Sequence, residues 1–361
     1  MKKYKLVLLI LFVVLVVIAF LFGFYYKYQI SPISRESEKV LLEIKAGSVS
    51  SIGDTLYENN LIRSKLMFKI FVKLHGVNDL KASTYELDRN MKLSEIIEVL
   101  EEGNSYNPDE VRITFKEGLN VRKIAKIIEE NTNNSYDDVI NLMDDDSYVD
   151  SLIDKYWFLT DEIKNEKIYY PLEGYLFPNT YAFLNKDVDV KTIIEKMLDE
   201  MGEQLEEYRS EIEESEYSIH ELMTLASMVE LEGASSDDRK SVAGVFYNRV
   251  RDGWSMGSDV TTYYYLKIDD FSVSLTDAMG LRDCDEAYNT RCNSYIGLPV
   301  GPISNPGIES LDATIEYREH DYHFFIADCS GKTYLFTEDQ YNQGYFSAKI
   351  SQLKSEGNWC A

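Results

Sequence analysis

LASMVELEG, residues 225–233, sets two glutamates at the end of a segment that otherwise reads as a buried helix. Upstream, Ser218 and Glu221 have the spacing of a capping box, which places the helix start. Leu222, Leu225, Ala226 and Val229 fall at i, i+3, i+4 and i+7, one apolar stripe. Gly233 is expected to supply a left-handed stop. At about 100° per residue, Glu230 and Glu232 lie about 80° to either side of Leu222, on the two shoulders of that stripe. Both sit in the last turn, where the helix dipole is negative. Dipole and partial burial both disfavour the charged carboxylate and raise its pKa. A raised carboxyl is what a general acid needs at neutral pH. Helical spacing alone does not choose between the two glutamates.

The segments around this helix carry polar groups on fixed turns. SVAGVFYNRVRDGW (241–254) reads as a helix running into a glycine turn, and SDVTT (258–262) as a turn before an aromatic strand. AYNT (287–290) and GLPVGPISNPG (297–307) follow, the latter stiffened by three prolines. LEGYLFPNTY (172–181) is a similar Tyr-, Pro- and Gly-rich stretch. Loops of this kind beside a helix-end acid make a plausible cleft. Asn248, Asp259, Thr261, Asn289, Thr290 and Asn305 are the candidates for orienting a polar ligand, and Glu173 is a candidate wall residue. Tyr175, Tyr181 and Tyr288 are candidates for stacking on a ligand, although most of the 27 tyrosines must be structural.

The N-terminus is of a different kind. Lys2, Lys3 and Lys5 precede an uncharged run from Leu6 to Tyr26, long enough for the roughly 30 Å hydrocarbon core of a bilayer. Positive charge before the span predicts an uncleaved single-pass anchor with a cytoplasmic N-terminus and the remainder exported. Four of the 37 basic side chains (Lys2, Lys3, Lys5, Lys27) belong to the anchor and its edge. The exported part keeps 33 against 62 acidic ones, a formal charge of −29. That excludes a nucleic-acid partner and is compatible with an uncharged polymer such as a glycan. The four histidines and four cysteines complete no metal-ligand spacing, so neither metal nor cofactor is expected. Cysteines in an exported chain permit disulfides, and Cys284 and Cys292, which bracket a short loop, are the expected pair.

Between anchor and helix, strand–helix units recur. VLLEIKAG (40–47), STYELD (83–88) and VRITFKEG (111–118) read as strands, each followed by an amphipathic helix. Ser94 is the expected cap of the middle helix and Gly103 its stop. The expected organisation is an anchor (1–27), a stalk (28–38), a first module (39–110), a second strand–helix module (111–166) and the main domain (167–361).

Taken together and in this order, these motifs resemble the YceG-like, or MltG, family of membrane-anchored endolytic murein transglycosylases. ASMVELE (226–232), VFYNR (245–249), SDVT (258–261), LEGYLFPNTY, YNT, GLPVGPI and NPG carry the resemblance. The chain departs from the family pattern at Leu231, Val260, Arg291 and Val300, and in the Cys284–Cys292 loop. The resemblance implies an α+β fold: a transmembrane helix, LysM-like strand–helix modules and a C-terminal α+β catalytic domain. It implies Glu230 as the catalytic acid and no cofactor. The implied reaction is cleavage of the MurNAc–GlcNAc bond of peptidoglycan glycan strands with formation of a 1,6-anhydro ring, terminating nascent strands at the cell membrane. Peptidoglycan synthases are the implied protein partners. A hydrolysing muramidase, with Asp259 as partner of Glu230, and a non-catalytic anchored glycan-binding scaffold are the alternative readings.

Overall fold

The computed structural model describes residues 2–77, 80–103, 109–232, 236–269, 273–281, 284, 286–292 and 295–359. The chain forms two compact units. One comprises residues 1–111 with 182–186, and the other 112–181 with 187–361. Residues 112–166 thus fall in the same unit as most of the C-terminal half.

The first unit begins with helix α1 (Lys2–Gln29). Its segment Leu11–Gln29 has a mean hydropathy of 2.1 and is long and apolar enough to cross a membrane. Strand β1 (Lys39–Ile44), helices α2 (Val49–Glu58) and α3 (Lys65–His75), strand β2 (Ser83–Asp88) and helix α4 (Leu93–Glu102) follow. The strands pair antiparallel, from Lys39 opposite Asp88 to Ile44 opposite Ser83. Their inward residues Leu42, Ile44, Tyr85 and Leu87 pack on Leu56, Phe68, Ile96 and Leu100. Gly103 ends α4 in the left-handed conformation, as its position suggested. Ser94 does not cap that helix. The cap falls on Lys92, because the Glu95 carboxylate reaches back to the Lys92 N–H at 2.8 Å and leaves Ser94 inside the first turn. The stretch expected to be a stalk is tied to the module. Leu93 N–H donates to Ile30 O, Ser34 N–H donates to Arg89 O, and Tyr26 and Ile30 pack on the core.

Next along the chain come β3 (Val111–Thr114), α5 (Val121–Asn131), α6 (Tyr136–Met143), α7 (Asp146–Lys155), β4 (Thr180–Phe183), α8 (Val190–Glu206), α9 (Arg209–Glu214), α10 (Ile219–Leu231) and α11 (Ser236–Arg251). The second unit closes with α12 (Asp259–Tyr265), α13 (Leu275–Gly280), α14 (Ile308–Ile315), a hairpin of β5 (Phe324–Ala327) and β6 (Thr333–Phe336), α15 (Glu338–Asn342) and α16 (Tyr345–Ser355). Its centre is α10, packed against α11 and α14. The capping box is present, with Ser218 Oγ accepting from Glu221 N–H. The single stripe is exceeded: every residue of α10 from Ile219 to Val229 except Glu221 is buried. A helix enclosed on all sides must satisfy its polar residues internally. Ser227 Oγ accepts from Ile303 N–H, Ser304 Oγ donates to Ser227 O, and His220 lies between Tyr175 Oη and Val300 O. These bonds fix the proline-rich loop along the helix.

A second buried knot joins distant segments. The Glu173 carboxylate, fully enclosed, accepts from Val121 N–H, Tyr264 Oη and Asn305 Nδ2. Asn305 also donates to Leu119 O and accepts from Leu176 N–H. Burial pushes the Glu173 carboxyl up to about 7. A folded-state pKa above the ordinary value means that its favourable contribution is complete below about pH 4.5 and is lost as pH rises through about 7. In Glu173→Gln that part of the pH dependence should vanish. An amide N–H would also face these donors, at a cost of about 1–3 kcal/mol. Urea unfolding of the detergent-solubilised chain between pH 4.5 and 8 measures both effects.

Candidate active site

The two glutamates at the end of α10 part company. Glu230 turns toward the start of α14. Its Oε2 accepts from Gly307 N–H at 3.1 Å and from Ser310 Oγ at 2.7 Å, and Arg239 lies 3.7 Å from Oε1. Its side chain is only 7% exposed. Gly307 is the N-cap of α14, so the carboxylate at the negative end of one helix is received by the positive end of another. Gly307 and Ser310 donate to Glu230, and Arg239 stands at ion-pair distance. Glu117, just before the left-handed Gly118, adds a further carboxyl nearby. Its pKa is raised by desolvation and then by the charge of Glu230.

Glu232 caps the C-terminal end of the same helix and is half-buried. Gly233 lies outside the described residues. Ser258 Oγ donates to Glu232 Oε1 at 2.7 Å. Desolvation raises the Glu232 carboxyl, the Ser258 hydrogen bond opposes this, and the charge of Asp259 adds to the rise. Arg249 and Arg291 pull the other way. Ser258 is itself held from behind. Thr261 Oγ1 donates to Ser258 O, Ser258 N–H donates to Thr290 Oγ1, and the two threonine hydroxyls lie 2.9 Å apart. Arg291 Nε stands 2.6 Å from Asp259 Oδ1, while Arg291 Nη1 donates to Gly257 O. The disulfide Cys284–Cys292 forms as its spacing suggested and closes the loop that carries Arg291. Two residues of helix therefore separate a carboxyl tied to the cap of α14 from one with raised pKa held by a single hydroxyl.

Of the candidates read from the sequence, Asp259, Thr261 and Thr290 gather beside Glu232. Asp259, with 39% of its side chain exposed, is open to solvent; the threonines are buried and act through Ser258. SDVTT does not lead into a strand. Residues 259–265 are the helix α12, because burial of Tyr264 against Tyr169 and Tyr288, with its hydroxyl on Glu173, outweighs the strand preference of its aromatic residues. Glu173, Tyr175, Tyr288 and Asn305 are enclosed in the core. Tyr181 is also buried, with its hydroxyl on Phe177 O. Asn248 donates to His320 O and Tyr322 O, which fixes the approach to β5. Asn289 accepts from Arg291 N–H inside the disulfide loop. Sequence reasoning passed over Glu117, Arg239, Ser258 and Ser310. Ser258, the first residue of SDVT, and Glu117, in VRITFKEG, lay inside stretches that had drawn notice. Among the described residues no group of histidine, cysteine and carboxylate side chains is arranged to hold a metal ion.

Residues 42–344 match the YceG-like family. The endolytic murein transglycosylase of Bacillus subtilis (strain 168) is 32% identical over 341 residues, 94% of this chain and 91% of that protein. That of Streptococcus pneumoniae serotype 2 (strain D39) is 30% identical over 331 residues, 86% of this chain and 60% of a longer protein. The crystal structure of a yceG-like protein from Listeria monocytogenes superposes with a TM-score of 0.59 and 33% identity. It covers 85% of this chain and 99% of its own.

The electrostatics of Glu232 make opposite shifts testable. Asp259→Asn removes a charge that raises the Glu232 carboxyl and frees Arg291, so Glu232 should lose its proton at lower pH. Arg291→Gln removes a charge that lowers it and unmasks Asp259, so the proton should be held to higher pH. Carboxyl-carbon NMR of glutamate-labelled protein reads both titrations.

Proposed function

The chain belongs to the YceG-like family, and from that premise we propose that it is a membrane-anchored endolytic murein transglycosylase. It acts on the glycan strands of peptidoglycan, cleaving the bond between N-acetylmuramic acid and N-acetylglucosamine and ending the growth of nascent strands. Helix α1 crosses the cell membrane with its lysine-bearing N-terminus in the cytoplasm, which leaves both folded units outside. The order β1–α2–α3–β2 of the first unit supports its LysM-like reading, and peptidoglycan synthases are the proposed protein partners.

The observation that carries the mechanism is the contrast at the end of α10. The resemblance assigned the acid to Glu230, but the geometry favours Glu232. Glu230 is held by two hydrogen-bond donors and the nearby Arg239, whereas Glu232 has one hydroxyl donor and a raised pKa. Ser258 engages Oε1 and leaves Oε2 for the proton. Protonated Glu232 gives that proton to the glycosidic oxygen as the C1–O4 bond breaks. The resulting carboxylate then takes the proton of the muramyl 6-hydroxyl as O6 closes on C1. The proton count returns to its starting value, and no water is consumed. One carboxyl group therefore suffices where glycosidases that hydrolyse use two. The nucleophile is part of the substrate, which lowers the entropic barrier. Asp259, held by Arg291 beside Glu232, faces the positive charge that develops at C1.

Glu232→Gln should cost at least about 10²–10⁴-fold in kcat on purified sacculi, the usual share of general acid catalysis. Glu230→Gln should act mainly on stability, because its amide would meet the Gly307 and Ser310 donors. The reverse pattern, with Glu230→Gln folded and inactive, returns the acid to Glu230. Wild-type muropeptides should carry anhydro ends, lighter by one water than reducing ends. Reducing ends would assign the enzyme to the hydrolysing muramidases.

A further inference from the structure

Helix α3 presents an exposed face that the reaction does not use. Its sequence, KLMFKIFVKLH, contains no acidic residue in a chain whose exported part carries a formal charge of −29. Met67, Phe68, Phe71 and Val72 face the core. On the other side run two parallel rows at i, i+4, i+8. One is Lys65, Lys69 and Lys73; the other is Leu66, Ile70 and Leu74. Leu66 is 62% exposed and Leu74 70%. Lys65 is engaged by Asp54 at 2.8 Å and lies over the ring of Tyr57, itself 45% exposed, while Lys69 and Lys73 reach into solvent.

The position of this face is set by the end of α1. The Arg63 guanidinium sits 4.6 Å over the ring of Tyr28 and donates to Ile33 O at 3.2 Å and to Pro32 O. Ser64, the next residue, caps α3 by accepting from Met67 N–H. The first turn of α3 is thus held beside the last turn of α1, where Tyr25 and Tyr28 stand exposed as aromatic side chains do at a membrane interface.

We propose that the exposed face of α3 rests on the anionic headgroup surface of the membrane, with Leu66 and Leu74 entering the interface and Lys69 and Lys73 meeting lipid phosphates. The proposal rests on the reading of α1 as a membrane span. Amphipathic helices with lysines beside an apolar row bind membranes in this way, and basic residues next to a span are drawn to anionic lipid. The strongly acidic remainder of the chain is repelled by the same surface, so this face is the one turned toward it. Tethering by α1 makes the contact intramolecular, and a weak surface suffices at the resulting effective concentration.

The test uses the full chain in vesicles of phosphatidylcholine with or without phosphatidylglycerol. A nitroxide is placed in turn at Leu66→Cys, Leu74→Cys and, within α1, Val16→Cys. The cysteines seen in the structure, 284, 292 and 329, are disulfide-bonded and leave the new thiol as the label site. With phosphatidylglycerol, labels at 66 and 74 should be about threefold or more less accessible to a water-soluble relaxant than in detergent. Adding Lys69→Glu and Lys73→Glu should restore their accessibility with circular dichroism unchanged. Water-accessible labels at 66 and 74 beside a lipid-buried label at 16 overturn the proposal alone and leave this face to a protein partner. A water-accessible label at 16 overturns the spanning reading, and the proposal falls with it.

Discussion

The enclosure of the Glu173 carboxyl constrains the second unit more than any other single interaction. A buried carboxyl must be surrounded by donors, and here they come from Val121, Tyr264 and Asn305, three segments far apart in sequence. Each segment leads to the candidate site. Tyr264 is near the end of α12, whose N-terminus is marked by Ser258 and Asp259. Asn305 lies two residues before Gly307, which donates to Glu230. Leu119, which pairs with Asn305, follows Gly118, whose backbone lies against Leu231 and Glu230. The surroundings of both glutamates are therefore set from one buried point.

Helix α10 shows how a fully enclosed helix delivers a polar end. Ser227, through its hydroxyl and its carbonyl, and His220 bind the 300–304 loop, and that loop runs directly into the cap of α14. Its polar C-terminal end is Glu230 and the C-cap Glu232. Two residues of helix rotate a side chain by about 200°, so adjacent carboxyls need not share an environment. One completes the packing of α14, and the other meets the loop stiffened by the Cys284–Cys292 bridge. Structural demand and chemical availability are thereby divided between neighbours in a seven-residue motif.

Elements whose signal is local were legible in the sequence. The Ser218–Glu221 box placed the start of α10, Gly103 placed the end of α4, and two cysteines eight residues apart gave the bridge. Roles that depend on long-range enclosure were not. Glu173, Tyr175, Tyr288 and Asn305 look like ligand-binding groups because they are polar and sit in loops rich in glycine and proline. What buries them comes from elsewhere: Val121, His220 and the tyrosines 169 and 264. DVTTYYY reads as a strand because its residues favour one, and only the distant Glu173 makes a helix pay. Helix α3 went unread although Ser64 and Gly76 bracket it, because its exposed leucines blur the amphipathic pattern. The choice between Glu230 and Glu232 could not be read from helical spacing, since α14 lies 77 residues further along the chain.

The join between α1 and the first folded module has a mechanical meaning. A spanning helix tilts to match its hydrophobic length to the thickness of the bilayer around it. In most anchored proteins a loose tether absorbs that tilt. Here Tyr26 and Ile30 are already part of the module's core, and Leu93, Arg89 and Arg63 grip the residues just beyond. The joint is stiff, so in the spanning arrangement proposed for α1 a change of tilt would become a rotation of the module, and bilayer thickness would act as a lever on the first unit with the residues around Ile30 as its fulcrum.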